Sequence, residues 1–112
     1  MKFNEAHVLL EKHLKELGVD FVREHRFHPK RQWRLDYWLG ERVGGQKVPC
    51  FLAVEIEGAI WSRGRHTRGK GYENDMRKYN AATMLGYRVL RFSTEMVLKG
   101  EAKDFLKEHL SK

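Results

Sequence analysis

At 112 residues, 41% of them hydrophobic, the chain is long enough for one domain with a packed core and too apolar for a disordered one. Its one cysteine, Cys50, excludes an internal disulfide and a cysteine-based zinc site. No run nears the ~18 apolar residues of a membrane helix and no signal-like apolar stretch follows Met1, so a soluble, cytoplasmic protein is expected. Lys and Arg outnumber Asp and Glu by 22 to 15, a net charge of +7 that favours a polyanionic partner, most simply nucleic acid.

In chain order, residues 3–17 place Phe3, Ala6, Leu10, Leu14 and Leu17 at helical spacing, with Gly18 as a stop. Residues 19–27 alternate imperfectly and predict a strand, followed by a turn at Pro29. Residues 32–39 alternate Trp33, Leu35, Tyr37 and Leu39 against Gln32, Arg34, Asp36 and Trp38, a strand with Asp36 on the face opposite Leu35 and Tyr37. A Gly-Gly turn in 41–47 joins this strand antiparallel to the next, 49–57, which is apolar until its end and therefore central in the sheet.

Residues 58–71 form a basic loop rich in glycine. The helix over 72–85 carries Tyr72, Met76, Tyr79 and Thr83 on one face and closes at Gly86. Strand 87–92 is reached by this helical crossover and so runs parallel to 49–57. Ser93 or Thr94 caps a last helical region, 95–110, interrupted near Gly100. The order α-β-β-β-α-β-α makes one α/β domain over residues 1–112, a mixed central sheet flanked by helices.

Glu55 and Glu57 alternate with Val54 and Ile56, so both carboxylates leave the strand on the same face. Acids delivered side by side on an apolar strand require a cationic counterpart. If the strands pair as predicted, Asp36 joins them. Two readings stand side by side: a divalent cation shared among the acids, or strand-end ion pairs with Arg34 or Arg91.

Asp36, followed some twenty residues later by Glu55-Ile56-Glu57 on an apolar strand, resembles the PD-(D/E)XK nuclease superfamily with its restriction-endonuclease-like core. The stretch VEIEGAIWSRGRHTRGKGYENDMRKYNAATMLGYRVLRF is similar to the small DUF559 and very-short-patch-repair-like endonuclease domains of phages and bacteria. The resemblance implies a Mg²⁺- or Mn²⁺-dependent endodeoxyribonuclease, with metal held by Asp36, Glu55 and the main-chain carbonyl of Ile56. Glu57 stands where that superfamily has lysine. It could bind a second metal or act as a base on water, and Lys78 on the following helix is the substitute cation. The alternative is a nuclease-fold DNA-binding module that does not cut.

In the loop, among Arg63, Arg65, Arg68 and Lys70, His66 next to a phosphate could protonate a leaving oxygen or bind backbone, or it is an exposed loop histidine; these residues, with Arg31 and Arg34, form the expected phosphate-binding set. Trp61 can stack on an unpaired base or plug the loop onto the sheet. His25 and His28 are expected at the surface or on DNA. Glu5 and Glu11 are the first-helix acids that could approach the metal. DNA as duplex, junction or flap, cut with little sequence specificity, is the expected substrate, and a homodimer would set two sites on it.

Overall fold

A computed structural model describes residues 2–39, 42–43, 46–47, 52–58 and 70–110. The chain runs α1 (Lys2–Glu16), β1 (Val22–Arg26), β2 (Arg34–Trp38), a short ribbon of β3 (Arg42–Val43) and β4 (Gln46–Lys47), β5 (Leu52–Glu57), α2 (Lys70–Met84), β6 (Arg88–Ser93), α3 (Thr94–Leu98) and α4 (Glu101–Leu110). The main sheet has the order β1-β2-β5-β6. β1, β2 and β5 pair antiparallel in succession, and β6 lies parallel to β5. The mixed α/β sheet flanked by helices expected from the sequence is what the structure has. Among the described residues no helix is long and apolar enough to cross a membrane.

The two faces of the sheet are unequal. Leu10 and Leu14 of α1, Val54 and Ile56 of β5, Phe92 of β6, Val97 of α3 and Leu106 of α4 belong to one large core. The other face holds a smaller cluster of Phe27, Leu35, Ala53 and Ala82, with Tyr79, Tyr87 and Val89 packed against it. Among the described residues, three helices thus cover one side, and α2 alone covers the side on which Glu55 and Glu57 emerge. The last helical region breaks at Gly100, whose φ of +88° is a left-handed conformation that favours glycine. Ser93 caps α3 by accepting the Met96 N–H at 3.1 Å.

The expected alternation of residues 32–39 fails at one point. Leu35 packs in the smaller cluster and Tyr37 in the larger, so they do not share a face. Pairing explains why. The β1–β2 register is the same at Arg23↔Tyr37 and at His25↔Leu35, but between them Glu24 stands opposite Asp36 without a ladder pair. Glu24 has φ +53°, a left-handed conformation that costs a non-glycine residue roughly 1–2 kcal/mol. The β2–β5 ladder likewise shows only Tyr37↔Val54 and Trp38↔Ala53. The sheet therefore opens at Asp36.

The α2 face is also divided. Tyr79 packs against the smaller cluster, whereas Tyr72 and Met76 are 45% and 48% exposed. Among the described residues, α2 meets the smaller cluster with its middle and C-terminal turns. Both β-hairpin histidines are engaged internally. His25 stacks on Trp38 with centroids 4.8 Å apart and meets the Tyr87 hydroxyl at 2.9 Å. His28 Nδ1 accepts the backbone N–H groups of Lys30 and Arg31, which fixes its proton on Nε2 if the ring is neutral.

Candidate active site

Where β2 and β5 part, the two acids replace the missing ladder. The Asp36 N–H donates to Glu55 Oε2 at 3.0 Å, and the Ile56 N–H donates to Asp36 Oδ2 at 2.8 Å. Continuing the Tyr37↔Val54 register by one step sets Asp36 directly opposite Glu55, so the pair shares a face. Each carboxylate satisfies a backbone donor of the other strand, and this holds both acids at fixed positions.

Glu55 is only 5% exposed. Three donors hold it: the Asp36 amide, the Lys78 ammonium at 3.3 Å from both oxygens, and the Tyr79 hydroxyl. Lys78 and Tyr79 are neighbours on α2, and both reach the same carboxylate from above the sheet. Among the described residues, no such cation is bound to Asp36. Burial first, and the Glu55 charge second, push its carboxyl above the ordinary value of 3.8, although the Ile56 hydrogen bond opposes them. Burial and the bond to Glu55 push the Tyr79 phenol far up, so it stays a donor at any ordinary pH.

Glu57, one full pleat further along, does not join the pair. It is bound by the Arg91 guanidinium, which also lies 4.7 Å from the Tyr79 ring centroid. Parallel register puts Arg91 level with Glu55, but Glu55 is already occupied by α2, and Arg91 serves the diagonal neighbour. Of the ion pairs considered from sequence, the one between Arg91 and this strand end is therefore formed. An open cleft of 390 Å³ lies between α2 and this pair, lined by Glu57, Tyr72, Asp75, Met76, Tyr79 and Arg91, among others.

Beneath the site, on the α1 side, Glu11 accepts from the Tyr37 hydroxyl at 2.8 Å and from Arg23 Nε at 2.8 Å. The Arg23 hydrogen bonds hold the Glu11 carboxyl below its ordinary 4.5. Since the Tyr37 proton goes to Glu11, His7 Nδ1, 2.9 Å away, donates to the tyrosine oxygen. Glu11 is thus committed to an internal network, and Glu5 is exposed. Gly58, at the end of β5, lets α1 approach: a Cβ there would stand 2.7 Å from Phe3 Cδ1.

The chain shares its fold with a solved structure, the catalytic domain of the homing endonuclease I-Bth0305I. The likeness has a TM-score of 0.64 at 20% sequence identity and covers 92% of this chain and 90% of that one. No family model matches the chain, and no curated protein does.

The structure thus brings Asp36, Glu55, the Ile56 backbone and Lys78 together and turns Glu57 toward Arg91. Arg34 is exposed and faces Arg26 directly across β1 and β2. Like charges in that position disfavour the sheet unless an anion lies between them. Arg31 covers the Trp33 ring at 4.2 Å. Trp61, Arg63, Arg65, His66 and Arg68, the side chain of Lys70, the Gly-Gly turn and Cys50 lie outside the described residues.

Two residues of the site were not singled out for it from sequence. For Tyr79 the helical spacing predicts only a shared face with Tyr72, Met76 and Thr83. His7 has a legible signal, since Phe3, His7 and Glu11 follow at i, i+4, i+8 on one stripe of α1.

Proposed function

We propose that this chain is a metal-dependent endonuclease that hydrolyses phosphodiester bonds in DNA, with its centre at Asp36 and Glu55. The observation that carries the reading is the paired acids at the opening of β2 from β5, with Lys78 3.3 Å from Glu55. The fold shared with an endonuclease catalytic domain supports it.

Among the described residues no group of three or more His, Cys, Asp or Glu side chains stands close enough to hold a metal ion. Two carboxylates still fit a hard cation such as Mg²⁺ or Mn²⁺, which takes oxygen ligands and keeps several waters. The half-buried Asp36 carboxyl beside Glu55 is a place where added positive charge is favourable. Asp36, Glu55 and the Ile56 carbonyl would hold the ion. When bound, it would supply Lewis-acid stabilisation of the phosphate and an acidified water.

The protein's own groups do the rest. Asp36 and Glu55 are fixed by the opposite strand's amides, so their oxygens converge without reorganisation. Lys78 brings a positive charge to the same point, suited to orienting the attacking water or stabilising negative charge on the phosphate. Tyr79 keeps Glu55 in place, and its high pKa keeps the proton on the phenol. Arg26 and Arg34 on the β1–β2 hairpin supply a phosphate contact, and Arg63, Arg65, Arg68 and Lys70 are further backbone-binding charge.

A nuclease-fold DNA-binding module without cutting is the second reading, favoured by Glu57 being tied to Arg91 rather than replaced by lysine. Supercoiled plasmid, flap and four-way-junction DNA incubated with Mg²⁺, Mn²⁺ or EDTA separate the two. Metal-dependent cutting lost in Asp36→Ala and Glu55→Ala supports the enzyme. Equal cutting by the variants sinks it, and salt-sensitive binding without cutting selects the module.

A further inference from the structure

Tyr79 faces two places at once. Its hydroxyl donates to Glu55, while its ring forms a wall of the 390 Å³ cleft between α2 and the sheet. We propose that this cleft seats an unpaired nucleobase of the nucleic-acid substrate, stacked on Tyr72, next to the phosphodiester held at Asp36 and Glu55. The inference rests on the nucleic-acid reading above and names what part of the substrate this surface takes.

Three observations select a base over other occupants. First, Tyr72 and Met76 lie one turn apart on α2 and are 45% and 48% exposed, an apolar face with no protein cover among the described residues. Flat rings stack on such a face whatever their sequence. Second, the cleft's charges disfavour phosphate. Glu57 and Asp75 are both acidic, and the Arg91 guanidinium is already bound to Glu57 and packed over Tyr79. A phosphate there would meet two carboxylates, whereas the amino groups of a base would find acceptors in Asp75 and Asn80. Third, a cationic peptide, which would also suit acidic walls, is repelled by a chain of net charge +7. The cleft also shares the Tyr79 wall with the acid pair, so a base seated in it is contiguous with the reacting backbone.

Fluorescence anisotropy in EDTA tests this with three labelled duplexes: fully paired, carrying three unpaired bases, and carrying three abasic residues at the same positions. The wild type is expected to bind the unpaired-base duplex about tenfold more tightly than the abasic one. Tyr72→Ala should abolish that difference, Tyr72→Trp should retain it, and the paired duplex should bind all three proteins alike. Thermal melting checks that the exposed-site variants remain folded. Equal affinity for base and abasic duplexes would overturn the assignment. So would a Tyr72→Ala loss spread equally over all three DNAs, or affinity for an oligolysine peptide that depends on Tyr72 while DNA binding does not. Plasmid cutting by the same wild-type protein keeps the two inferences apart. Cutting without base preference removes the cleft assignment alone, and base preference without cutting supports it while removing the enzyme.

Discussion

Replacing Asp36 by asparagine should make the metal-free protein more stable while disabling it. Asparagine keeps the shape and still offers an oxygen to the Ile56 N–H, which donates to Asp36 at 2.8 Å. What it removes is one of two facing negative charges. Carboxylates at directly opposed strand positions, about 5 Å apart, repel by roughly 3 kcal/mol at an effective dielectric near 20. Lys78, 3.3 Å from both Glu55 oxygens, offsets part of this. A net gain of about 1 kcal/mol remains, or ~4 °C in Tm for a domain of this size.

Thermal melts of wild type and Asp36→Asn in EDTA measure it. The sign with pH follows from the raised Asp36 pKa. The penalty of ionised Asp36 is fully present above its folded pKa and disappears as pH falls through that value toward the unfolded 3.8, so the advantage of Asp36→Asn should fade on acidification. Magnesium should reverse the order, since an ion bound only by the native wild type adds about 2.7 kcal/mol at a hundredfold excess over Kd. A variant less stable than wild type in EDTA by more than about 1 kcal/mol would refute the charge argument, because the bonds of the carboxylate would then outweigh its repulsion. Equal stabilisation of both proteins by magnesium would remove Asp36 from the ion's ligands.

Lys78→Met should cost about 1–3 kcal/mol in urea denaturation, less than a fully buried broken pair, because the lysine side chain is 17% exposed and Glu55 keeps two other donors. Tyr79→Phe should cost about 1.5–3 kcal/mol, and the double variant more than the sum, since both donors serve one carboxylate. Arg23→Ala should raise the Glu11 pKa toward 4.5 in an NMR titration. In the wild type the Glu11 contribution to stability is present above that value and is lost as pH falls through the lowered folded pKa; an unshifted Glu11 resonance would contradict the pairing. Gly58→Ala should destabilise by about 1 kcal/mol through contact with Phe3, and adding Phe3→Ala should recover part of that loss; additive effects would mean the helix end and strand end do not touch.

Much of this arrangement was legible from local pattern. Period-2 and period-3.6 spacing placed Leu10, Val54 and Phe92 in elements of the right kind, and Gly100 divided the last helix where only its φ could do so. Asp36 and Glu55 were expected on neighbouring strands, and they are. Alternation alone misled at Leu35 and Tyr37, because the sheet opens at Asp36 and no local signal reports a ladder that stops. The same limit applied to Tyr72 and Met76. Helical spacing put them on one face with Tyr79, but whether a face is covered depends on what packs against it.

The sequence by itself determined the order of elements, the basic charge and the acids available, since these depend on residue type and spacing along the chain. Tertiary structure decided which cation meets which acid. Glu55 and Glu57 are equivalent in a strand pattern, yet one is buried under Lys78 and Tyr79 and the other is held by Arg91. That choice follows from how α2 crosses the sheet and from the β5–β6 register, both set by packing between segments distant in sequence.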